Sequence, residues 1–349
     1  MAEPREYVDW AAARATARRL VPGGPRVTPE EARAEVEALR TAAERARGPV
    51  AETSRMHTPA GAPPALVVDR SAWIDANADS MAALLAPVVD KVMSRREDMP
   101  AAMAAMGAKV TGAEAGAMLA FLAGKVLGQY DLAPQGTPRL LLVAPNIMQV
   151  ARDLEVDPAD FRQWVALHEE THRVQFTAVP WLREHLLGVS RQLAADLAPD
   201  PEIMSQRFRE VMTRLPDAVR EGGMGLTDLI TTPEQRAEVA KVTAVMSLLE
   251  GHADVVMDEV GPEVIPSVAH IRAKFTQRRA GVGAFDRILR RLLGLEAKMR
   301  QYRDGAVFVR AVVDEVGWDG FNEVWTSPQT LPLPLEIETP ATWVARVHG

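Results

Sequence analysis

Phe161-Arg162-Gln163-Trp164-Val165-Ala166-Leu167-His168-Glu169-Glu170-Thr171-His172-Arg173-Val174-Gln175-Phe176 is the stretch from which the rest of the chain is read. Asp157-Pro158 ahead of it is a good helix start, because Asp caps well and Pro is favoured at the first helical position. Pro180 ends the pattern. On a helix, residues four apart share a face, so His168 and His172 aim two imidazoles at one point. A tetrahedral zinc ion needs that of its first two nitrogen ligands. Glu169 falls on the adjacent flank, where a carboxylate reaches a water activated by the metal rather than the metal itself. The plainer reading is a charged helix face with two exposed histidines. The cap, the proline stop and the apolar Val165, Leu167 and Val174 around the metal face weigh against it.

A third ligand is expected from Leu248-Leu249-Glu250-Gly251-His252-Ala253-Asp254, which follows the apolar run Thr243–Leu249. Glu250 and Asp254 share a helix face. One carboxylate can complete a zinc shell while the other accepts a hydrogen bond from the non-ligating nitrogen of a ligand histidine and fixes its tautomer. The alternative, a solvated face, sits poorly behind so apolar a run. His252, two residues from each carboxylate, points to the opposite side of the helix and reads as a capping or core histidine. The pairing resembles the E-x-x-x-D helix of thermolysin-like gluzincins. That resemblance implies Glu250 as the ligand and Asp254 as the carboxylate behind it.

Composition narrows the function classes. A chain of 349 residues can bury a large core, enough for one and a half to two domains. With 47% hydrophobic and 25% charged residues it is an ordinary globular protein. A net charge of -7 argues against nucleic acid as a partner. The absence of cysteine excludes disulfides and thiolate ligands, so a metal must be held by His and carboxylate. The first residues, Met1-Ala2-Glu3-Pro4-Arg5-Glu6, carry no secretory pattern, and a cytoplasmic location is expected.

Along the chain the pattern is mainly α with a small β element. Helices are predicted over 7–20 and, from the Thr28-Pro29-Glu30-Glu31 cap, over 28–47, with Gly48-Pro49 as a stop. A connector that includes an exposed His57 follows. Val67-Val68 is extended, and a helix runs over 76–93. Residues 114–130 read as a buried core helix, too short for a membrane span, with Gly124 and Gly128 suited to close helix packing. Pro138–Ile147 is the clearest strand, either an edge for an extended substrate or an ordinary buried strand. Trp181–Leu197 is helical, with His185 at the surface or packed. A helix over 199–220 and a glycine-rich flap, Glu221–Leu226, come next. Thr231-Thr232-Pro233 caps the Glu250 helix, which ends at Asp258–Pro262. Arg272, Lys274, Arg278, Arg279, Arg287, Arg290 and Arg291 read as a solvated basic face, Gly305–Trp325 as a closing helix, and Leu331–Leu335 as an extended tail. The predicted division is a helical region at 1–130 and a catalytic domain at 131–349.

With its two metal-helix motifs, the whole resembles the actinobacterial zincin-like metallopeptidase type 2 family, in the branch associated with coenzyme F420 biosynthesis. The resemblance implies a zincin-like fold and a hydrolase without a defined substrate. The expected chemistry is zinc-assisted amide hydrolysis of a peptide or protein, with Zn2+ on His168, His172 and Glu250 and Glu169 as the base. Tyr302, His270 and Arg278 are candidates by residue type for a donor to the carbonyl oxygen. The rival expectation is a zincin scaffold that binds without cutting, or an accessory factor of a biosynthetic pathway.

Overall fold

The computed structural model describes residues 7–94, 100–197, 232–280 and 295–349. The expected helix over 199–220, the glycine-rich flap and Arg287, Arg290 and Arg291 lie outside the described residues. Among the described residues the chain is mainly helical with one small sheet: α1 (Trp10–Leu20), α2 (Pro29–Ser54), β1 (Leu66–Val68), α3 (Arg70–Ser94), α4 (Ala101–Ala123), β2 (Gly128–Asp131), β3 (Arg139–Val143), α5 (Ala144–Leu154), α6 (Pro158–Ala178), α7 (Pro180–Leu197), α8 (Pro233–Val264), α9 (Val268–Ala280), α10 (Leu295–Asn322), α11 (Pro334–Glu338) and α12 (Pro340–His348). It divides into two compact units. One is Met1–Leu187 with Ala253–Arg278, the other Gly188–His252 with Arg279–Gly349, so the boundaries fall inside α7, α8 and α9.

In the first unit the strands run in the order β1-β3-β2. β1 is parallel to β3, with Leu66 opposite Leu141, and β2 is antiparallel to it, with Gly128 opposite Leu142 and Asp131 opposite Arg139. β2 therefore straddles residue 130 and pairs back onto a strand beyond it. Leu140 to Val143 of β3 are all buried, and Leu141 and Val143 join Trp73, Ile74, Leu119 and Ala123 in the core. α1 and α4 touch backbone to backbone. A Cβ on Gly112 would stand 2.3 Å from the Asp9 carbonyl oxygen, and one on Gly116 2.4 Å from that of Ala13. These glycines, not Gly124 and Gly128, allow the close helix packing.

α6 is fixed at its start as expected. The Asp157 carboxylate accepts from the Ala159 and Asp160 N–H groups, both at 2.9 Å, and Pro158 opens the helix. Its back packs on α2 through Arg162, whose guanidinium forks onto Glu35 at 2.8–3.0 Å. Arg173 pairs with Glu170 one turn away, both side chains 2% exposed, and donates to the Pro63 carbonyl at 3.1 Å. Burial holds the Glu170 carboxyl above its ordinary value even with Arg173 beside it.

Several predicted boundaries shift. α2 does not stop at Gly48-Pro49 but continues to Ser54, because Pro costs one N–H bond while Ala46 and Val50 on either side are buried. The helix predicted over 114–130 starts earlier, at Ala101, and ends at Ala123. Gly128–Asp131 is strand, since it finds a partner in β3. The strand predicted over 138–147 ends at Val143, and Ala144-Pro145 begins α5. β3 is also the middle strand, with both its edges taken, so it cannot serve as an edge. The tail is extended only through Leu333, and Pro334 and Pro340 each start a short helix.

In the second unit, Thr232 caps α8 reciprocally with Gln235, N to Oε1 at 2.9 Å and N to Oγ1 at 3.2 Å. Further along, in the part of α8 that belongs to the first unit, the helix is broken at Gly261, where φ is 63°, a left-handed value that favours glycine. α8 and α10 cross at a pair of glycines. A Cβ on Gly251 would lie 2.2 Å from the Gly305 carbonyl carbon, and one on Gly305 2.0 Å from the Ser247 carbonyl oxygen. His252 is fully buried among Trp318, Phe321 and Trp325, with ring centroids 5.5–5.7 Å away. It is the core histidine the sequence suggested.

Candidate metal centre

The i,i+4 spacing on α6 does what helix geometry requires. The Nε2 atoms of His168 and His172 stand 3.2 Å apart, and both rings are half-buried. Each ring is oriented from behind. The Nδ1 atom of His172 faces the Gln175 amide oxygen at 3.0 Å, and that of His168 faces the Met257 sulfur at 3.3 Å. Gln175 is fully buried and Met257 nearly so. A tautomer with Nδ1–H directed at these acceptors would leave each Nε2 lone pair for a metal.

Glu250 enters from α8. It lies seven residues before Met257, about 20° away around the helix, so the face that meets His168 also carries Glu250. Among the described residues, His168, His172 and Glu250 each offer one ligand atom, and these atoms all lie within 4.8 Å of one another. The donor set is two neutral imidazoles and a carboxylate, which suits a zinc ion with an open fourth position.

Glu169 follows His168 on the adjacent flank of α6 and meets the sheet. It is buried, and its side chain lies against Gly128 of β2, where a Cβ would come within 2.4 Å of the Glu169 Cγ. A turn further along the strand, Tyr130 stacks on Phe176 at 5.4 Å with the planes 6° apart. β2 therefore runs beside the α6 flank that carries Glu169.

The Nδ1 positions are met by Gln175 and Met257, while the Asp254 carbonyl accepts from Arg272 at 3.2 Å. Gln175 is three residues from His172 and so on its face, a signal present in the sequence. Met257 and Gly128 depend on contacts between distant segments and had none. His57 is exposed. His185 is half-buried beside Trp181, and burial pushes its imidazole below the ordinary value. Of the candidate donors, His270 is exposed, and the side chains of Tyr302 and Arg278 lie outside those described. Arg272, from the basic stretch, is engaged at home in an ion pair with Asp258 at 2.6 Å.

A helix bearing His-Glu-x-x-His laid beside a small sheet is an arrangement found in metal-helix hydrolases. The chain belongs to the zincin-like metallopeptidase family, whose sequence model matches residues 8–344. It is also similar to the crystal structure of "a putative hydrolase with a novel fold" from Chloroflexus aurantiacus, at 30% identity and a TM-score of 0.70, covering 98% of this chain and 99% of that one. No curated protein matches the chain.

Proposed function

We propose that this chain is a zinc-dependent hydrolase that cleaves an amide bond in a peptide or protein, with His168, His172 and Glu250 holding the ion and Glu169 moving the proton. The separation of the two Nε2 atoms carries the reading. Two ligands on one tetrahedral ion, each about 2.05 Å from it, stand roughly 3.3 Å apart. The imidazoles are set at that spacing, which suits a cation shared between the two Nε2 atoms. When bound, zinc supplies a Lewis acid that acidifies water and polarises a carbonyl.

The chain's own residues do the rest. The Glu169 carboxylate accepts the proton of the attacking water and hands it to the leaving amine. Its burial keeps bulk water from competing for that proton. Gln175 and Met257 hold the imidazoles in the ligating tautomer. The edge role expected of β3 passes to β2, which ends the sheet and lies beside Glu169. An extended substrate adds to it through backbone hydrogen bonds.

The test combines metal analysis with a quenched fluorescent peptide library. The purified chain is expected to carry one zinc, to lose it in His172→Ala, and to keep it in Glu169→Gln while cleavage disappears. A Glu169→Gln protein that cleaves at the normal rate removes the base assignment. A metal-free chain that binds no added zinc removes the hydrolase.

A further inference from the structure

We propose that Gly128 is a positioning residue for the Glu169 carboxylate: the missing Cβ on β2 is the seat in which that carboxylate rests. This deepens the reading of Glu169 as the base and rests on it. A Cβ built on Gly128 would stand 2.4 Å from Glu169 Cγ, 2.5 Å from Cδ and 2.7 Å from Oε1. All three are far inside the closest approach of real carbon and oxygen atoms. They follow the side chain from its second carbon to its carboxylate oxygen, so an added methyl meets the whole acid end rather than one corner of it.

Glycine is otherwise the wrong residue here. It weakens a strand, and within one it marks a close approach of something to the backbone. Gly128 sits opposite Leu142 in a regular antiparallel ladder, an extended conformation open to any residue. Backbone freedom therefore does not explain it. Glu169 does.

The strand also has little room to yield. β2 is tied to β3 by its ladder, which the Val143 N–H extends by bonding the Leu127 carbonyl at 2.8 Å. Two residues on, the Tyr130–Phe176 stack pins β2 to the same helix. Ser80 and Arg139 hold Asp131 at the strand's end, at 2.7 and 3.1 Å. The Glu169 side chain, with three rotatable bonds, is the softer partner. A methyl at 128 therefore turns the carboxylate aside and leaves sheet and imidazoles in place. Misplacing a reacting group by about 1 Å can cost on the order of 100-fold in rate.

The experiment is the crystal structure, zinc content and library turnover of Gly128→Ala in the full chain, with Gly128→Ala/Glu169→Ala as a companion. The expected structure has the Glu169 carboxylate displaced by about 1 Å or more, with His168, His172 and bound zinc unchanged. Turnover should fall about 100-fold with KM held within about twofold. The companion, which has no carboxylate to displace, should melt at the temperature of Glu169→Ala alone. Should Gly128→Ala fail to fold, the companion still decides: folding there supports the seat, and misfolding there overturns it. The proposal is also overturned if β2 shifts while the carboxylate stays, or if the carboxylate stays and turnover is kept. If Glu169→Gln keeps full turnover, the base assignment fails by itself, and the carboxylate's position in Gly128→Ala still reports on the seat.

Discussion

The two helices that carry the candidate ligands are held in opposite ways. α6, with the histidines, is fixed by polar groups: Asp157 at its cap, Arg162 forked onto Glu35, Arg173 on Glu170 and Pro63, and Gln175 behind His172. α8 around Glu250 is fixed by shape. Gly251 and Gly305 bring two backbones into contact, and His252 is packed into a nest of aromatic rings. Hydrogen bonds set ring angle and tautomer, which an imidazole ligand needs. A single carboxylate needs only its Cα at the right place, and close packing provides that.

The comparison breaks most visibly at the glycine crossing. Gly305→Ala places a methyl 2.0 Å from the Ser247 backbone oxygen, where no side chain can swing away. A loss of about 3 kcal/mol is expected in chemical denaturation, together with weaker zinc binding, because Ser247 lies one turn before Glu250. Gly128→Ala meets a side chain instead and should cost far less stability. Equal losses at the two positions would end the distinction between a shape-fixed and a polar-fixed half.

His252→Ala comes next. Emptying the aromatic nest should cost about 2 kcal/mol, whereas His252→Phe should cost less than about 1.5 kcal/mol. Neither should change zinc stoichiometry, since His252 points away from the Glu250 face. Loss of zinc in His252→Phe at full stability would make His252 a ligand in place of Glu250.

Gln175→Ala probes the polar half. Removing a partner behind a ligand histidine typically weakens metal binding by about 10–100-fold, and that loss is expected in competition titrations with a zinc chelator. Asp254→Ala should give a smaller change, because Gln175 and Met257 already meet the Nδ1 atoms. The reverse order would return Asp254 to the role the E-x-x-x-D spacing suggested.

What the sequence revealed follows the same divide. α6 was legible because its information is local: a cap, a proline and two histidines a turn apart. The Glu250 helix was legible from its cap and its apolar run, and His252 from its angle on that helix. The misreadings come from segments whose state is set at a distance. The apolar run through Leu127 has no period that separates helix from strand, and β2 exists because β3 lies beside it. Pro49 reads locally as a stop, but the burial of Ala46 and Val50 outweighs one lost hydrogen bond. Gly128 carried no sign of its neighbour, since Glu169 reaches it only after the sheet has formed.

The smallest expected effect lies far along the chain from either ligand helix, in the polar clasp at the C-terminal end. Glu336 is buried in the second unit and gripped by Arg346, Nε to Oε1 at 2.6 Å and Nη2 to Oε2 at 2.8 Å, while the Leu333 N–H donates to Oε2 at 2.8 Å. Burial pushes the carboxyl up, but the Arg346 hydrogen bonds, the Leu333 N–H and the Arg346 charge outweigh it and hold Glu336 below its ordinary value. The folded chain therefore takes up this proton less readily than the unfolded chain. Stability from the clasp is complete above the ordinary glutamate value, about 4.3, and is lost as pH falls through the depressed folded value. Melting temperatures of the wild type and Glu336→Gln should differ near neutral pH and converge in acid. A gap that persists unchanged into strong acid would show that the charge of Glu336 is not what holds the clasp. Convergence would place an acid-labile contact in the same unit as the glycine crossing, which has no titrating group to lose, and would confine the shape-fixed behaviour to α8 and its partner helix.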